Sequence, residues 1–291
     1  MEQQNRIVGD REHVQESARG HTRAVTSALL SDALGPVRAD PARAAVLFDI
    51  DGTLAPIVDH AADARVPEQT RQLLIQIARR YGVVACVSGR RASEARAMVA
   101  IGAISYLGSH GAEVLRAGWT ETVVDPEVED WSERIHDFAR EADNAELRRL
   151  RVRLEDKGPI VAFHWRGAPD EEAARAAIDA IASKAEGAGL RTHWGRKVLE
   201  VRPPVRIDKG AGIASFLADT DVDVALYVGD DRTDLDAFNA LVQLADEGRI
   251  SKAIRVGVRS DEGPSEITAE ADLVVDGTAG VTELLAALAA D

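Results

Sequence analysis

Asp49-Ile50-Asp51-Gly52-Thr53 places two carboxylic acids two positions apart, directly after the apolar run Ala44-Ala45-Val46-Leu47-Phe48. Extended chain points residues i and i+2 the same way, so one acid can attack an electrophile while the other moves protons. Asp-Gly after a strand also fits an ordinary turn, so the reading depends on what accompanies it. Three further segments do. Ser88-Gly89-Arg90 follows the apolar run 83–87, where a hydroxyl and backbone N–H groups at a helix start can hold anionic oxygens; alone it is equally a turn and a helix cap. Asp208-Lys209-Gly210 brings a cation beside a capping acid, and a solvated lysine is its plainer reading. Gly229-Asp230-Asp231-Arg232-Thr233-Asp234 gathers three acids whose mutual repulsion calls for a compensating cation, and hard oxygen donors suit Mg2+. Acids enriched at a helix N-terminus account for Asp234 more readily than for Asp230.

These segments need elements to position them. The runs 44–48 and 83–87 have the continuous apolar character of strands buried on both faces, with a helix expected between them over 68–80. The same rhythm returns late in the chain, with helices over 209–218 and 233–245, strands over 224–228, 253–258 and 273–275, and a closing helix over 282–290. The expected fold is α/β, a doubly wound and mostly parallel sheet, which binds ligands beyond the carboxyl ends of its strands. Between about 115 and 204 the pattern changes. Strand-like stretches at 119–124, 152–155, 160–165 and 197–201 alternate apolar with polar residues. One helix carries Val128, Trp131, Ile135 and Phe138, and another runs over about 170–186. The expected division is an N-terminal helical arm over 1–40, a core over 41–114 and 205–291, and an inserted α+β domain over 115–204. In the arm, Val14, Ala18, Val25 and Leu29 recur at helical spacing, and Gly35-Pro36 is the expected stop.

Composition narrows the function classes. Lys+Arg is 35 and Asp+Glu is 49, so the net charge is 35 − 49 = −14, with no concentrated basic patch. That balance repels nucleic acid backbones and anionic membranes, and leaves a small phosphorylated ligand, which needs only a few local cations. The single Cys86 excludes an intramolecular disulfide, and the seven His residues lack zinc-ligand spacing. With no signal-peptide or membrane-spanning pattern, the expected compartment is the cytoplasm.

The four acid, serine and lysine segments, in this order, resemble the haloacid dehalogenase superfamily of phosphotransferases. The Asp-x-Asp-Gly-Thr form resembles its phosphatases and phosphomutases. A narrower set is similar to the trehalose-6-phosphate phosphatase family: Asp49 to Pro56, Gly108-Ser109-His110-Gly111-Ala112-Glu113, Glu155-Asp156-Lys157-Gly158, His164-Trp165-Arg166, Glu200-Val201-Arg202-Pro203 and the 229–234 segment. The resemblance implies catalytic roles for Asp49, Asp51, Ser88 and Lys209. It implies Mg2+ held by Asp49, Asp230 and the Asp51 backbone carbonyl, with Asp231 and Asp234 behind them. The inserted domain becomes a mobile cap, and substrate contacts fall to Gly89, Arg90, Glu155, Lys157, Arg166, Arg196 and Glu200. The family usually has Glu where this chain has Leu235, which fits a packing stripe with Phe238, Val242 and Ala245. Two rival readings remain: a phosphatase or mutase for another phosphosugar, and a signalling module phosphorylated on aspartate.

Overall fold

The computed structural model describes residues 27–58, 63–260 and 263–290. It contains β1 (Ala44–Phe48), β2 (Val83–Val87), β3 (Ser105–Gly108), β4 (Glu113–Leu115), β5 (Val123–Val124), β6 (Arg153–Asp156), β7 (Val161–His164), β8 (Arg191–Gly195), β9 (Val198–Arg202), β10 (Val224–Gly229), β11 (Lys252–Arg259) and β12 (Leu273–Asp276). The helices are α1 (Ser27–Ala39), α2 (Glu68–Arg80), α3 (Ala92–Val99), α4 (Pro126–Ala142), α5 (Ala145–Arg149), α6 (Glu171–Gly187), α7 (Lys209–Ala218), α8 (Asp234–Asp246), α9 (Ser265–Glu270) and α10 (Gly277–Ala289).

The larger sheet runs β12-β11-β10-β1-β2-β3-β4-β5. Its first six strands are parallel to their neighbours, and β4 and β5 close one edge antiparallel. β1 is buried along its whole length, and its alternating side chains divide between two cores. Ala44, Val46 and Phe48 pack toward α1, α2, α3 and α10. Ala45 and Leu47 pack toward α7, α8 and α9. Helices on both faces explain why the strand is an unbroken apolar run, and they make the sheet doubly wound. From β1 the chain winds outward through β2 and β3, then later through β10 to β12 on the other side. β1 and β10 therefore flank the switch point where such sheets open a crevice.

The second sheet, β6-β7-β9-β8, is antiparallel throughout. Val161, Phe163, Leu199 and Val201 face a core built with Ile135 of α4 and Ala174, Ile178 and Ile181 of α6. The alternate positions carry Glu155, His164, Glu200 and Arg202, a polar face turned away from α4 and α6. Where the two parts meet, Ala112, Val128, Ile160 and Ile207 form a small apolar cluster across both crossings of the chain.

Some expected elements shift. The strand expected over 119–124 is reduced to Val123–Val124, and it pairs with β4 of the large sheet, so the first ten residues of the 115–204 insertion lie with the core. α1 continues through Gly35-Pro36 to Ala39. Pro36 removes one helical N–H, but the fully buried Leu34 and Val37 pin the helix into the core beside α2 and α10. That part of the expected arm is core structure. Val14, Ala18 and Val25 lie outside the described residues. α10 begins at Gly277, five residues ahead of the sequence expectation, because Gly277 and Gly280 give no apolar signal. Among the described residues, no helix is long and apolar enough to cross a membrane.

Candidate active site

Three neighbouring strands, β10, β1 and β2, deliver the residues that follow them to one crevice: Asp230, Asp49 and Ser88. Asp49 is anchored by its own N–H, which donates to the Val228 carbonyl of β10 at 2.8 Å. After it the chain turns sharply, with the Leu54 and Ala55 N–H groups both returning to the Ile50 carbonyl. Gly52 sits in the left-handed region, φ +92°, where a Cβ would lie 2.1 Å from Asp230 Oδ2, so only glycine lets the turn pass this carboxylate.

Lys209 is buried at the start of α7, not solvated. Its Nζ donates at 2.6 Å to Asp49 Oδ1 and at 2.6 Å to Asp234 Oδ1. Asp208 caps that helix by accepting from the Ala211 N–H. Burial alone favours the neutral amine, but Asp234 and Asp49 outweigh it and hold Lys209 above the usual ammonium range. The carboxylates show the opposite imbalance. Burial raises Asp49 well above the carboxylate range; Lys209 opposes this, while Asp234, Asp230 and Asp231 add to it. Burial, then Asp234 and Asp231, push Asp230 up to about 7. One ammonium among buried acids leaves an excess of negative charge, which a divalent cation would relieve.

The acids differ in what already occupies them. Carboxylate oxygens of Asp49, Asp230 and Asp234 lie within 4.8 Å of one another, compatible with a shared ion. Asp234, however, accepts from Lys209 and Tyr227 on Oδ1, and from the Asp230 and Asp231 N–H groups on Oδ2. Four donors fill its lone pairs, so it serves as an internal anchor. Asp230 accepts only the Thr53 hydroxyl among these groups, at 3.0 Å. Asp231 is exposed, and it accepts the Thr233 N–H and hydroxyl. A cation thus fits best between Asp49 and Asp230.

Asp51 meets a different cation. Arg90 grips it bidentately, Nε and Nη2 each at 2.7 Å from one carboxylate oxygen. Ser88 is buried and its Oγ accepts from the Arg90 N–H at 3.1 Å, which leaves the hydroxyl proton available to donate. Beyond β3, Ser109, His110 and Gly111 are all left-handed. This bend is tied to the serine loop by the Ser109 N–H to the Arg90 carbonyl at 2.7 Å and the His110 N–H to the Ser88 carbonyl at 3.0 Å. It also brings the His110 ring over Gly89, where a Cβ would meet it at 2.8 Å.

The polar face of the small sheet supplies the other wall. Lys157 Nζ donates to Glu200 Oε1 at 3.0 Å, and the other Glu200 oxygen accepts from Arg202. Burial would raise Glu200, yet Lys157 and Arg202 prevail and hold its carboxyl at about 2. Glu155 lies 2.6 Å from His164 across the strand pair and is within electrostatic reach of Arg90. Burial lowers His110 to about 4, so its imidazole is neutral, within electrostatic reach of Glu200, Arg202, Lys209 and Lys157.

Asp49, Lys209, Asp230 and Asp234 therefore share one cluster, while Ser88 follows the neighbouring strand, Arg90 holds Asp51, and Lys157, paired with Glu200, reaches the bend after β3 through its carbonyl. Arg166 and Arg196 are brought to each other, Arg166 Nη2 lying 3.4 Å from the Arg196 carbonyl. Both are exposed, on turns at the end of the small sheet opposite the turn that carries Lys157. Sequence reading missed Tyr227, His164 and Arg202 as partners of site residues. The Tyr hydroxyl is hidden inside an apolar strand, whereas His164 and Arg202 stand in the segments that carry the resemblance, with a polar alternation that could have marked them. The cation on Arg202 does not read as a clamp until β9 folds it beside Glu200.

A family model described as trehalose-phosphatase matches residues 47–276. A probable trehalose-phosphate phosphatase D of Arabidopsis thaliana is 30% identical over 217 residues, covering 67% of this chain and 56% of that protein. A trehalose-phosphate phosphatase of Mycobacterium marinum is 32% identical over 210 residues, covering 68% of this chain and 52% of its own. This chain thus spans about half the length of these curated relatives. In fold it is similar to the C-terminal domain of a Candida albicans trehalose-6-phosphate phosphatase, with a TM-score of 0.67 at 21% identity over 91% of this chain and 98% of that one. A haloacid dehalogenase-like hydrolase from Bacteroides thetaiotaomicron shares the fold at a TM-score of 0.58 and 14% identity, over 83% of this chain and 98% of the other. The matched span of 47–276 runs from the first acid pair through the small sheet to the last acid cluster, and on that match the chain belongs to the trehalose-phosphatase family.

Proposed function

We propose that the protein hydrolyses trehalose 6-phosphate to trehalose and phosphate. The carrying observation is the buried Asp49–Lys209–Asp234 chain at the sheet's switch point, with Asp230 beside it and the Lys157–Glu200 pair opposite.

Phosphate monoesters hydrolyse slowly because nucleophile and dianion repel, so positioning and charge compensation dominate the catalysis. Asp49 attacks phosphorus, the bond to the sugar oxygen breaks, and Asp51 gives that oxygen its proton. Water then attacks the aspartyl-phosphate, Asp51 takes its proton, and the bond from phosphorus to Asp49 breaks, restoring the carboxylate. Before its first proton transfer Asp51 must leave the Arg90 fork and take up a proton from water, and incoming phosphoryl oxygens offer Arg90 a competing anion. Lys209 orients Asp49, while Ser88 and the Gly89 backbone hold the phosphoryl group. Asp49 and Asp230 would hold Mg2+ with the Asp51 carbonyl, with Asp231 and Asp234 ordering the loop behind it. That ion supplies compensating positive charge.

The part of the insertion from α4 to β9 acts as the cap, and its Glu155, Lys157, Arg166, Arg196 and Glu200 read the sugar hydroxyls. A free phosphosugar is then the only partner the chemistry requires, with no nucleic acid or membrane, and the cytoplasm provides it.

Phosphate release from trehalose 6-phosphate with Mg2+, compared with glucose 6-phosphate, sucrose 6-phosphate and mannose phosphates, tests this reading. The highest kcat/KM is expected for trehalose 6-phosphate. A preference for another phosphosugar would overturn the substrate, and a stable phosphoprotein without turnover would favour a signalling role.

A further inference from the structure

Ser109 is fully buried at the C-terminal end of β3, in a backbone conformation (φ 50°) that costs a non-glycine residue free energy. Its hydroxyl has one proton and two acceptors from different parts of the molecule. The Lys157 backbone carbonyl, in the turn between β6 and β7, lies at 2.9 Å. Glu113 Oε1, buried in the large sheet, lies at 3.4 Å. The same Glu113 oxygen accepts the Ala92 N–H at 2.6 Å, at the first turn of α3 just beyond the Ser88–Arg90 loop. The Ser109 N–H in turn holds the Arg90 carbonyl. Lys157 uses its side chain to hold Glu200. Nearby, Gly158 packs against the Arg91 guanidinium, with a Cβ position 3.5 Å from Nη2.

From this juxtaposition we infer that Ser109 is a positioning residue that sets the sugar-reading turn of the small sheet onto the phosphate-holding loop. Its hydroxyl exchanges acceptors as that turn docks. With the turn seated, the proton goes to the Lys157 carbonyl, and Lys157 and Glu200 are placed at a fixed height above Asp49 and Asp51. With the turn lifted, rotation about the Cα–Cβ bond returns the proton to Glu113, so no buried hydroxyl is stranded and the turn can leave at little cost. The strained backbone is what aims the hydroxyl out of the core toward the turn. The inference rests on the phosphosugar phosphatase reading and deepens it: part of the sugar selectivity is fixed by a core residue that touches neither phosphate nor sugar.

The test compares Ser109→Gly, which removes the hydroxyl and relieves the left-handed strain, with Ser109→Ala, which removes the hydroxyl and keeps the strain. Both are measured on trehalose 6-phosphate and on 4-nitrophenyl phosphate, with backbone hydrogen exchange followed over residues 153–164. The expected result for both variants is about a tenfold fall in kcat/KM for the phosphosugar, carried mainly by KM, with the aryl phosphate within about twofold of the parent protein. Exchange in the 156–160 turn becomes faster. Equal losses on both substrates, or an unchanged substrate ratio with unchanged exchange, would overturn the inference. Should the parent protein favour another phosphosugar, the substrate reading fails while the same comparison with that sugar still decides Ser109. Should it turn over aryl phosphates alone, the exchange measurement decides.

Discussion

The buried acid and lysine cluster and the polar face of the small sheet are built from the same residue types by opposite means. In the core, Asp49 at the end of β1 and Asp234 at the start of α8 are buried and both bonded to the buried Lys209 at the start of α7. On the small sheet, Glu155 is exposed and His164 partly covered, and Arg166 and Arg196 are exposed on turns at one end. Glu200 is the exception: it is buried against Lys157 and Arg202, and His110 of the core lies within electrostatic reach. A rigid centre suits chemistry that is the same for every phosphate ester. A looser face suits recognition, where each hydroxyl contact adds a little and the group must admit and release its ligand.

The difference predicts how each region breaks. Asp49→Asn keeps the side-chain shape but removes the proposed nucleophile, so kcat should fall by a factor of about 10,000 or more for sugar and aryl phosphates alike. Near-normal phosphate release by the purified, contaminant-free Asp49→Asn variant would refute covalent catalysis by this residue.

The next largest effect belongs to the proposed metal site. Because burial and the neighbouring acids push Asp230 up to about 7, a proton occupies this carboxyl below that pH and a metal ion must displace it. Calorimetric Mg2+ titrations should therefore show affinity falling by at least about tenfold per pH unit below pH 7, with proton release on binding. Affinity that is flat from pH 5 to 8 would exclude Asp230 as the titrating ligand.

This contrast also governs what the sequence discloses. β1, β2, α2 and α7 are readable to the residue, because burial on both faces or a regular apolar stripe leaves a continuous pattern. The core site is readable for the same reason: its acids, serine and lysine stand at the ends of those runs, within short contiguous segments. β8, Arg191-Thr192-His193-Trp194-Gly195, carries too little apolar signal to read as a strand, though it forms the edge of the small sheet. β5 is two residues long and takes its place from pairing with β4. Tyr227 reads as one more apolar strand residue, and only the tertiary fold puts its hydroxyl on Asp234. The α1 helix passes its Pro36 because Leu34 and Val37 are buried, a tertiary effect that overrides the local stop signal.

The division of labour between the two regions is tested most directly at Glu200, which the small sheet turns toward the core and which Lys157 and Arg202 hold ionised. Losing one hydrogen-bonding group in a closed site costs about 1–3 kcal/mol, or roughly tenfold to a hundredfold in rate. The measurement is kcat/KM of Glu200→Ala for trehalose 6-phosphate and for 4-nitrophenyl phosphate, in protein whose melting temperature matches the parent. The expected result is a loss of about tenfold to a hundredfold on the phosphosugar and less than about twofold on the aryl phosphate. Equal losses on both substrates would contradict it, and would make Glu200 a support of the phosphoryl centre instead of a reader of the sugar.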